Sequence, residues 1–326
     1  MKKKLMLITS FGPSLINFRG DLINELIKNG YDVSVMASYF DPSTIDSLNK
    51  KNTKIFKMKM DNRSLSILQN IRAIVSVFYI LLSKKPDMIM PYTAKAVIFS
   101  CLVARFLKIE HVPIITGIGV LHSDSFANSF LGKIQIFLYK VSLKSSNIIF
   151  FQNKDDENFF RSKILSSKTQ SIIINGSGVN INRFPVIELP KNITFLMASR
   201  LIKEKGIIEY IDAARYIKKK YPFVSFLHAG SNNKELDLKE SYINDYFFSA
   251  VNDNIIDNLE WLDDIKLALK RCSVFVLPSY YGEGLPRTSL EAMSCGRLII
   301  TTDSVGCRET VEEGINGFCI PIKDSK

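Results

Sequence analysis

The stretch of sequence that decides the fold is Ser279-Tyr-Tyr-Gly-Glu-Gly-Leu-Pro-Arg-Thr-Ser-Leu-Glu-Ala-Met-Ser-Cys-Gly-Arg-Leu-Ile-Ile-Thr-Thr302. It places Glu283 between two glycines and Glu291 eight residues later. A buried strand is predicted just before it, over 272–278, and the apolar run Leu298-Ile-Ile300 predicts another at its end. This order predicts strand, loop, short helix and strand, with both carboxylates at the carboxyl edge of a parallel sheet, where open α/β sheets bind ligands.

The helix inside this stretch is expected to begin at Pro286, because proline lacks the N–H that would be unpaired at a first helical position. Residues 287–294 then form about two turns, with Leu290 and Met293 predicted to contact the core. The unpaired amides and the dipole at a helix start attract anions. Two isolated glutamates would more often be solvated surface residues, but the Gly-Glu-Gly context favours a ligand site.

The spacing of Glu283 and Glu291, E-x7-E, resembles the signature of retaining family-4 glycosyltransferases, which have the GT-B fold. Two downstream segments, Thr301-Thr-Asp-Ser-Val-Gly-Cys-Arg-Glu309 and Glu313-Gly-Ile-Asn-Gly-Phe-Cys-Ile-Pro321, resemble the same family in the same order. The branch that it resembles most builds bacterial surface polysaccharides on a polyprenyl carrier.

The resemblance assigns the donor site to the second half of the chain. Arg200 and Lys205 match the residues that hold the donor diphosphate in the family, although composition alone would make both of them exposed charges. Glu291 would accept hydrogen bonds from the ribose hydroxyls, and Glu283 would lie nearer the donor sugar as the central catalytic residue. The backbone around the three residues that follow Glu283 would help to orient that sugar (Gly284, Leu285 and Pro286).

Two cations near the end of a strand can neutralise a leaving nucleoside diphosphate without a metal ion. No cofactor is therefore expected, and the donor is a substrate. The histidines at 111, 122 and 228 form no readable ligand cluster with the cysteines, so no metal site is expected either. His122 and His228 are interpreted as an ordinary loop residue and a structural residue.

The first half of the chain contains weaker signals. Gly12 follows the first predicted strand, where a glycine lets the backbone approach a phosphate, but the G-x-G-x-x-G spacing of a dinucleotide site is missing. By resemblance, Arg19 would meet the acceptor's diphosphate, and Gly117 and Gly119 would form a loop that faces the cleft. Arg287, in the second half, would contact a phosphate or the acceptor.

The domain organisation follows from the alternation of strands and helices, which predicts parallel doubly wound sheets. At 326 residues the chain is long enough for two domains. The pattern restarts after the glycine- and asparagine-rich segment 175–185, which predicts an acceptor-side domain over 1–183 and a nucleotide-sugar-binding domain over 184–326. The predicted architecture is α/β, with two Rossmann-like domains facing a cleft, as in GT-B. Family members continue past the position that matches Lys326, so the second domain is expected to be incomplete.

The charge is concentrated in the first half, which has 25 Lys and Arg against 12 Asp and Glu through Arg183, whereas the remainder has 18 against 20. Nucleic acid is not the expected partner, because aromatic residues do not alternate with the basic ones in stacking motifs. Anionic lipid headgroups are favoured, because the apolar helices predicted over 70–85 and 126–144 are bordered by lysines. The alternative is that both helices simply pack on the sheet.

The expected location is the inner face of the cytoplasmic membrane, with the protein cytoplasmic and peripheral. The apolar run from Ile71 to Ser83 falls short of the roughly 20 residues that span a bilayer, and the apolar run after the first lysines is too short for a secretory signal. Five cysteines without a C-x-x-C pair suit reduced thiols.

The predicted activity is transfer of a hexose or N-acetylhexosamine from a nucleoside-diphosphate sugar, with UDP favoured, to a polyprenyl-diphosphate-linked glycan in O-antigen or capsule synthesis. The resemblance implies retention of the anomeric configuration. Three alternatives stay open: an inactive, truncated, membrane-associated scaffold, a nucleotide-sugar 2-epimerase of the same fold, and a glycoside hydrolase. A hydrolase also uses two carboxylates, but it would leave Arg200 and Lys205 without a role.

Overall fold

The computed structural model describes residues 2–61, 64, 66–230 and 241–326. The chain forms two compact units, the first ending at Ser177 and the second beginning at Gly178. The sequence placed the boundary a few residues later, between 183 and 184, within the same glycine- and asparagine-rich segment. Each unit contains its own parallel sheet and is described separately below.

The first unit alternates strands and helices. Its strands are β1 (Lys4–Ile8), β2 (Asp32–Ala37), β3 (Lys54–Lys57), β4 (Met88–Pro91), β5 (Glu110–His111), β6 (Ile114–Ile115), β7 (Ile148–Phe151) and β8 (Gln170–Ile173). Its helices are α1 (Pro13–Asn17), α2 (Gly20–Lys28), α3 (Pro42–Lys50), α4 (Ile67–Lys84), α5 (Ala94–Leu107), α6 (Asp124–Ala127), α7 (Phe130–Ser142) and α8 (Lys154–Lys163). The strand orders are β3-β2-β1-β4-β5 and β6-β7-β8, with all pairs parallel, and a bridge between Tyr92 and Ile114 links the two groups.

The core of the first unit lies on both faces of its sheet, because successive side chains of a strand point to opposite faces. Met6 and Ile8 of β1 belong to one buried cluster, together with residues of α4, α5 and β7. Leu5 and Leu7 belong to a second cluster, with residues of α1 and α2. A parallel sheet covered by helices on both faces explains why β1 is apolar and buried at every position from Leu5 to Ile8 rather than at alternate ones.

The second unit repeats the architecture. Its strands are β9 (Thr194–Ala198), β10 (Ser225–Ala229), β11 (Asp257–Asn258), β12 (Val274–Leu277), β13 (Leu298–Thr302) and β14 (Gly317–Ile320). Its helices are α9 (Ile207–Lys220), α10 (Ser241–Asn252), α11 (Lys266–Leu269) and α12 (Arg287–Ser294). The six strands are parallel, in the order β11-β10-β9-β12-β13-β14, which makes this unit Rossmann-like, as predicted.

Two details of α12 differ from the sequence prediction. Pro286 is the residue before the helix, with an extended ψ of 113°, so the helix begins at Arg287 and not at Pro286. Met293 is partly buried and packs against the core, as predicted, but the fully buried residues of α12 are Ser289 and Ala292. Small residues at the buried positions let the helix lie close to the sheet, which an apolar-residue search cannot detect.

One strand is shorter than predicted. The sequence suggested a strand over 258–262, but β11 ends at Asn258. Glu260 has a φ of 56°, a left-handed conformation that a strand cannot contain. The regular strand ends here, although the Leu259 N–H still donates to the His228 carbonyl and the Gly230 N–H to the Glu260 carbonyl, both at 2.8 Å.

The length of α4 differs from the prediction that no apolar segment is long enough to cross a membrane. Within the described part of the chain, it is a helix whose 18 residues suffice for that by length and apolar composition. Core helices of soluble proteins can have the same length and apolar composition, and Ala73, Val77 and Leu81 do lie in the core of the first unit.

A pH dependence of stability arises from His228, which is fully buried in β10. Burial lowers the pKa of this imidazole from 6.5 to about 4. Below pH 6.5 the unfolded chain takes up a proton that the folded chain refuses, so stability present at neutral pH is lost as the pH falls from 6.5 towards 4. We expect this residue to lower the free energy of unfolding by about 2 kcal/mol between pH 7 and pH 5.

Urea denaturation of the wild type and His228→Gln at both pH values measures this contribution. Carboxylates contribute equally to both proteins, so the difference between the two pH slopes belongs to His228. Identical slopes would contradict the burial of a neutral imidazole at this position.

Candidate functional site

The stretch Ser279–Thr302 lies where the sequence predicted, at the carboxyl edge of the sheet of the second unit. The loop of 278–286 follows β12, and a short 3-10 helix, Lys203–Lys205, lies beyond the end of β9. Because β9 and β12 are parallel neighbours, the segments that follow them meet. The backbone N–H of Tyr280 donates to the carbonyl of Glu204 at 2.8 Å, which joins the two segments.

The first carboxylate of the stretch, Glu283, forms an ion pair with Lys205. Lys205 Nζ contacts Glu283 Oε1, and the hydroxyl of Ser279 donates to the same oxygen at 3.1 Å. The two charged side chains are only 14% and 16% exposed. Lys205 Nζ also lies 5.6 Å from the centre of the Tyr281 ring. A cation and a carboxylate predicted to touch the donor are thus held together, largely shielded from water.

The second carboxylate, Glu291, forms an ion pair with Arg287 one turn earlier on α12. Arg287 Nε lies 3.0 Å from Glu291 Oε1, and the side chains are 11% and 12% exposed. Burial raises the pKa of Glu291 above its usual 4.5, and the hydrogen bond and charge of Arg287 oppose this rise. The sequence predicted that Arg287 would contact a phosphate or the acceptor, but not that it would pair with Glu291.

The loop after β13 supports the loop that carries Glu283. Gly306 has a φ of 75°, and a Cβ added there would lie 2.3 Å from the carbonyl oxygen of Gly284 and 2.4 Å from that of Glu283. The Ser304 hydroxyl donates to the Ser279 carbonyl at 2.7 Å. Only glycine permits this close approach together with a left-handed backbone. The sequence contained the signal, a glycine within Asp303-Ser-Val-Gly306, but not its target.

The remaining donor-side residues are also at this edge. Arg200 lies two residues after the end of β9 and is exposed. Gly284 and Pro286 are buried, and Leu285 is half-buried, between Glu283 and the start of α12. Lys203, in the same short 3-10 helix as Lys205, is exposed. The second unit therefore brings together two carboxylates and two of the cations, Lys205 and Arg287, with Arg200 at the same edge.

The predicted residues of the first half lie along the carboxyl edge of the other sheet. Arg19 is 5% exposed, and its guanidinium lies 5.2 Å from the centre of the Tyr92 ring. Gly117 and Gly119 follow β6 with φ values of 110° and 54°. At Gly12 an added Cβ would lie 2.3 Å from the carbonyl oxygen of Tyr39, so the local packing requires a glycine at this position.

Thr93 is a feature of this edge that the sequence did not indicate. It follows β4 with φ 71° and ψ 140°, a conformation that costs a β-branched residue about 1–3 kcal/mol. Its hydroxyl donates to Ser10 Oγ at 3.1 Å and accepts the Ser10 N–H at 3.2 Å. These bonds tie the ends of β1 and β4 together. No residue pattern marks such strain in advance.

His122 pairs with a buried carboxylate, which its interpretation as an ordinary loop histidine did not include. Its Nε2 lies 2.6 Å from Asp156 Oδ1, and Asp156 is fully buried. Asn153 Nδ2 donates to the other oxygen of Asp156 at 3.0 Å. Burial raises the pKa of Asp156, and the His122 hydrogen bond opposes the rise. The pair lies beyond β6 and β7, and its partners are 34 residues apart in the sequence.

Metal-binding side chains are not clustered in the part of the chain that the structure describes: it contains no group of three or more His, Cys, Asp or Glu that could hold an ion. All five cysteines are free thiols.

Family models match both halves of the chain. Residues 180–326 match the model described as glycosyl transferases group 1, and residues 8–153 match the model described as glycosyl transferase 4-like. The first match contains the whole candidate donor site. The second contains Gly12, Arg19, Gly117 and Gly119.

Relatives and solved structures agree with these matches. The N,N'-diacetylbacillosaminyl-diphospho-undecaprenol alpha-1,3-N-acetylgalactosaminyltransferase of Campylobacter jejuni is 26% identical over 332 residues, covering 97% of this chain and 84% of the relative. The UDP-Gal:alpha-D-GlcNAc-diphosphoundecaprenol alpha-1,3-galactosyltransferase of Escherichia coli is 25% identical over 320 residues, covering 92% of this chain and 79% of the relative.

Among solved structures, Anabaena HepE in complex with UDP and glucose superposes with a TM-score of 0.76 at 17% identity, covering 99% of this chain and 87% of that one. At this identity the likeness concerns the fold. The strand order of both units, the family matches and the relatives point the same way. The chain belongs to the glycosyltransferases, matching group 1 in its second half and the 4-like group in its first, and its fold is GT-B.

Proposed function

We propose that this protein transfers a hexose or an N-acetylhexosamine from a UDP-sugar to a polyprenyl-diphosphate-linked glycan, with retention of the anomeric configuration. The observation that carries the proposal is the pairing of Lys205 with Glu283 beside that of Arg287 with Glu291, at the carboxyl edge of one sheet. The names of the two relatives support the acceptor class, since both act on diphospho-undecaprenol-linked sugars, and one of them uses UDP-Gal.

Donor binding uses an exchange of ionic partners. The incoming diphosphate carries more negative charge than one carboxylate and takes Lys205 from Glu283, with Arg200 as a second cation. The released Glu283 carboxylate then accepts hydrogen bonds from hydroxyls of the donor sugar. Glu291 accepts hydrogen bonds from the ribose, and the hydrogen bond and charge of Arg287 oppose the rise in pKa that burial causes in this carboxylate. Both carboxylates act by binding and orienting the donor.

The chemical step needs no dedicated protein base. The bond between the sugar C1 and the β-phosphate oxygen breaks, and its electron pair leaves on that oxygen. The acceptor hydroxyl forms the new bond to C1 on the same face and gives its proton to the departing phosphate oxygen. Lys205 and Arg200 stabilise the charge that develops on the phosphate, so we propose that the reaction is independent of metal ions.

The proposed site of action is the inner face of the cytoplasmic membrane, where a polyprenyl-linked acceptor meets a soluble nucleotide sugar. The excess of basic residues through Arg183, 25 against 12, supports an approach of the first unit to anionic headgroups. The role of this enzyme is thus assembly of a lipid-linked surface polysaccharide of the O-antigen or capsule type.

A transfer assay tests the proposal. The purified protein is incubated with a panel of labelled UDP-sugars and undecaprenyl-diphosphate-linked acceptors, with and without EDTA, and the anomeric configuration of the product is determined by NMR. We expect one donor to be transferred with retention and EDTA to leave the rate unchanged. UDP binding without transfer would favour the scaffold, and epimerisation of a UDP-N-acetylhexosamine without acceptor would favour the epimerase. Either result, or inversion, would contradict the proposal.

A further inference from the structure

The outer face of α4 carries a row of apolar side chains that the fold does not use. Three residues of this helix, 17% of its length, are buried, and they face the core. The opposite face exposes apolar residues spaced three or four apart, which places them in one row along a helix. They are Leu68, Ile71, Val75, Tyr79 and Leu82.

The outer face of α7 carries a second row. Phe130 is 78% exposed, and Ile134 and Phe137 follow at helical spacing on the same face, with Leu131 beside them. Tyr139 and Ser142 of the same helix are buried against the first unit. The helix therefore has one face that packs on the protein and another that offers large apolar side chains to the outside.

Both rows belong to one helical layer of the first unit, because α5 packs against both α4 and α7 and all three helices contribute to the same core cluster. Phe106, at the end of α5, is 76% exposed, and its ring centre lies 5.9 Å from that of Phe78 on α4. We call the two rows together with Phe106 the apolar surface. Exposed patches of this kind mark interaction sites in proteins of known function.

The charge around the apolar surface has one sign. The helices α4, α5 and α7 contain no Asp or Glu. The same helices carry five exposed cations: Arg72, Lys84, Arg105, Lys133 and Lys140. The nearest acids in the sequence stand outside the helices and are exposed (Asp87, Glu110 and Asp124). A partner with an anionic surface and an apolar interior therefore fits the apolar surface better than a neutral or basic partner does.

We propose that the apolar surface docks on the face of an anionic lipid bilayer, with α4 and α7 lying in the plane of the interface. Large apolar side chains bordered by lysine and arginine are how interfacial helices bind, and stable binding takes an apolar and an electrostatic contribution together. The helix α4 does not cross the bilayer, because Ala73, Val77 and Leu81 are part of the same core cluster as Phe151 of β7. This proposal rests on the proposed function in one respect: docking would bring the enzyme to a membrane-borne acceptor.

Vesicle cosedimentation tests the docking surface, using phosphatidylcholine vesicles with and without phosphatidylglycerol. We expect the full chain to bind the anionic vesicles, to lose binding as salt is raised, and to be released from them at alkaline pH as a peripheral protein. Combined substitution of Tyr79, Phe106, Phe130 and Phe137 by serine should lower binding at least about tenfold. Replacing Lys133 and Lys140 by glutamine should lower it about tenfold at low salt.

Matched controls come from exposed residues of the second unit. Tyr216→Ser with Phe223→Ser removes two exposed rings, and Lys219→Gln with Lys220→Gln removes two exposed cations, so both pairs should bind as the wild type does. Sedimentation equilibrium of the serine variant checks whether the surface instead joins two copies of the chain. Wild-type binding by the serine variant, or a wild-type dimer that this variant dissociates, would overturn the proposal.

The transfer assay with a short-chain, water-soluble acceptor separates this inference from the proposed function. The serine variant should keep wild-type rates on that acceptor, because the substituted residues lie outside the donor site. A protein that binds vesicles but transfers nothing would overturn the function and leave the docking surface standing. A protein that transfers sugar but ignores anionic vesicles would do the reverse.

Discussion

Replacing Lys205 by glutamine is expected to lower kcat/KM for the donor about a hundredfold to a thousandfold, or about 3–4 kcal/mol of transition-state stabilisation. Among the cations of the segment that follows β9, Arg200 and Lys203 are exposed, whereas the Lys205 side chain is 14% exposed, so its charge is weakly screened. The charge on the departing phosphate grows as the sugar leaves, and this growth is what Lys205 stabilises. The loss should therefore fall mainly on kcat and less on the dissociation constant of UDP.

The matched control is Lys203→Gln. Lys203 belongs to the same short helix, carries the same charge and is exposed, so its loss should leave kcat/KM near the wild-type value. Lys205→Arg should restore part of the activity, because a cation is retained while its shape changes. Thermal unfolding checks that each variant is folded. Equal effects of Lys203→Gln and Lys205→Gln would show that the pairing of Lys205 with Glu283 has no part in donor binding.

Replacing Gly306 by alanine is expected to lower transfer about a hundredfold, because displacement of a reacting group by an ångström can cost that much. The new Cβ would lie within 2.4 Å of the carbonyl oxygens of Glu283 and Gly284, so the loop that carries Glu283 must move. The residue itself touches no substrate in this account. The loss of transfer would come entirely from the displaced position of the Glu283 carboxylate.

Gly314→Ala is the matched control for this substitution. Gly314 has a φ of 74° against 75° for Gly306, but an added Cβ there meets nothing within 4 Å. Both variants should lose a similar backbone term of about 1–2 kcal/mol in unfolding free energy, and only Gly306→Ala should lose transfer as well. Initial rates and urea denaturation of the two variants separate these contributions. Equal activity in both would contradict the role assigned to the contact.

The strand and helix pattern around the candidate site was predictable because its signals are local. The run of 274–277 before the loop and that of 298–302 after it are short and apolar, and glycines and a proline mark the turns between them. The alternation of such units specifies a parallel sheet, and a parallel sheet places its loops at one edge. The start of α12 was misplaced by one residue because Pro286 suits both the position before a helix and its first position.

The pairings inside the site were not predictable in the same way. Lys205 and Glu283 are 78 residues apart, and only the adjacency of β9 and β12 brings them together. Arg287 and Glu291 do have the four-residue spacing of an ion pair on a helix. The family resemblance, however, assigned each of them to a ligand rather than to the other. The strain at Thr93 and the close approach at Gly306 depend on tertiary packing, which no residue pattern of a single sequence encodes.

A crystal structure of the protein with UDP is the measurement that tests the donor site most directly. We expect the diphosphate oxygens to lie within hydrogen-bonding distance of Lys205 Nζ and the Arg200 guanidinium, and the ribose hydroxyls to contact the Glu291 carboxylate. Glu283 should then be separated from Lys205 and point towards the position of the sugar. UDP bound away from the carboxyl edge of β9 and β12, or bound there with the Lys205–Glu283 pair intact, would contradict the account.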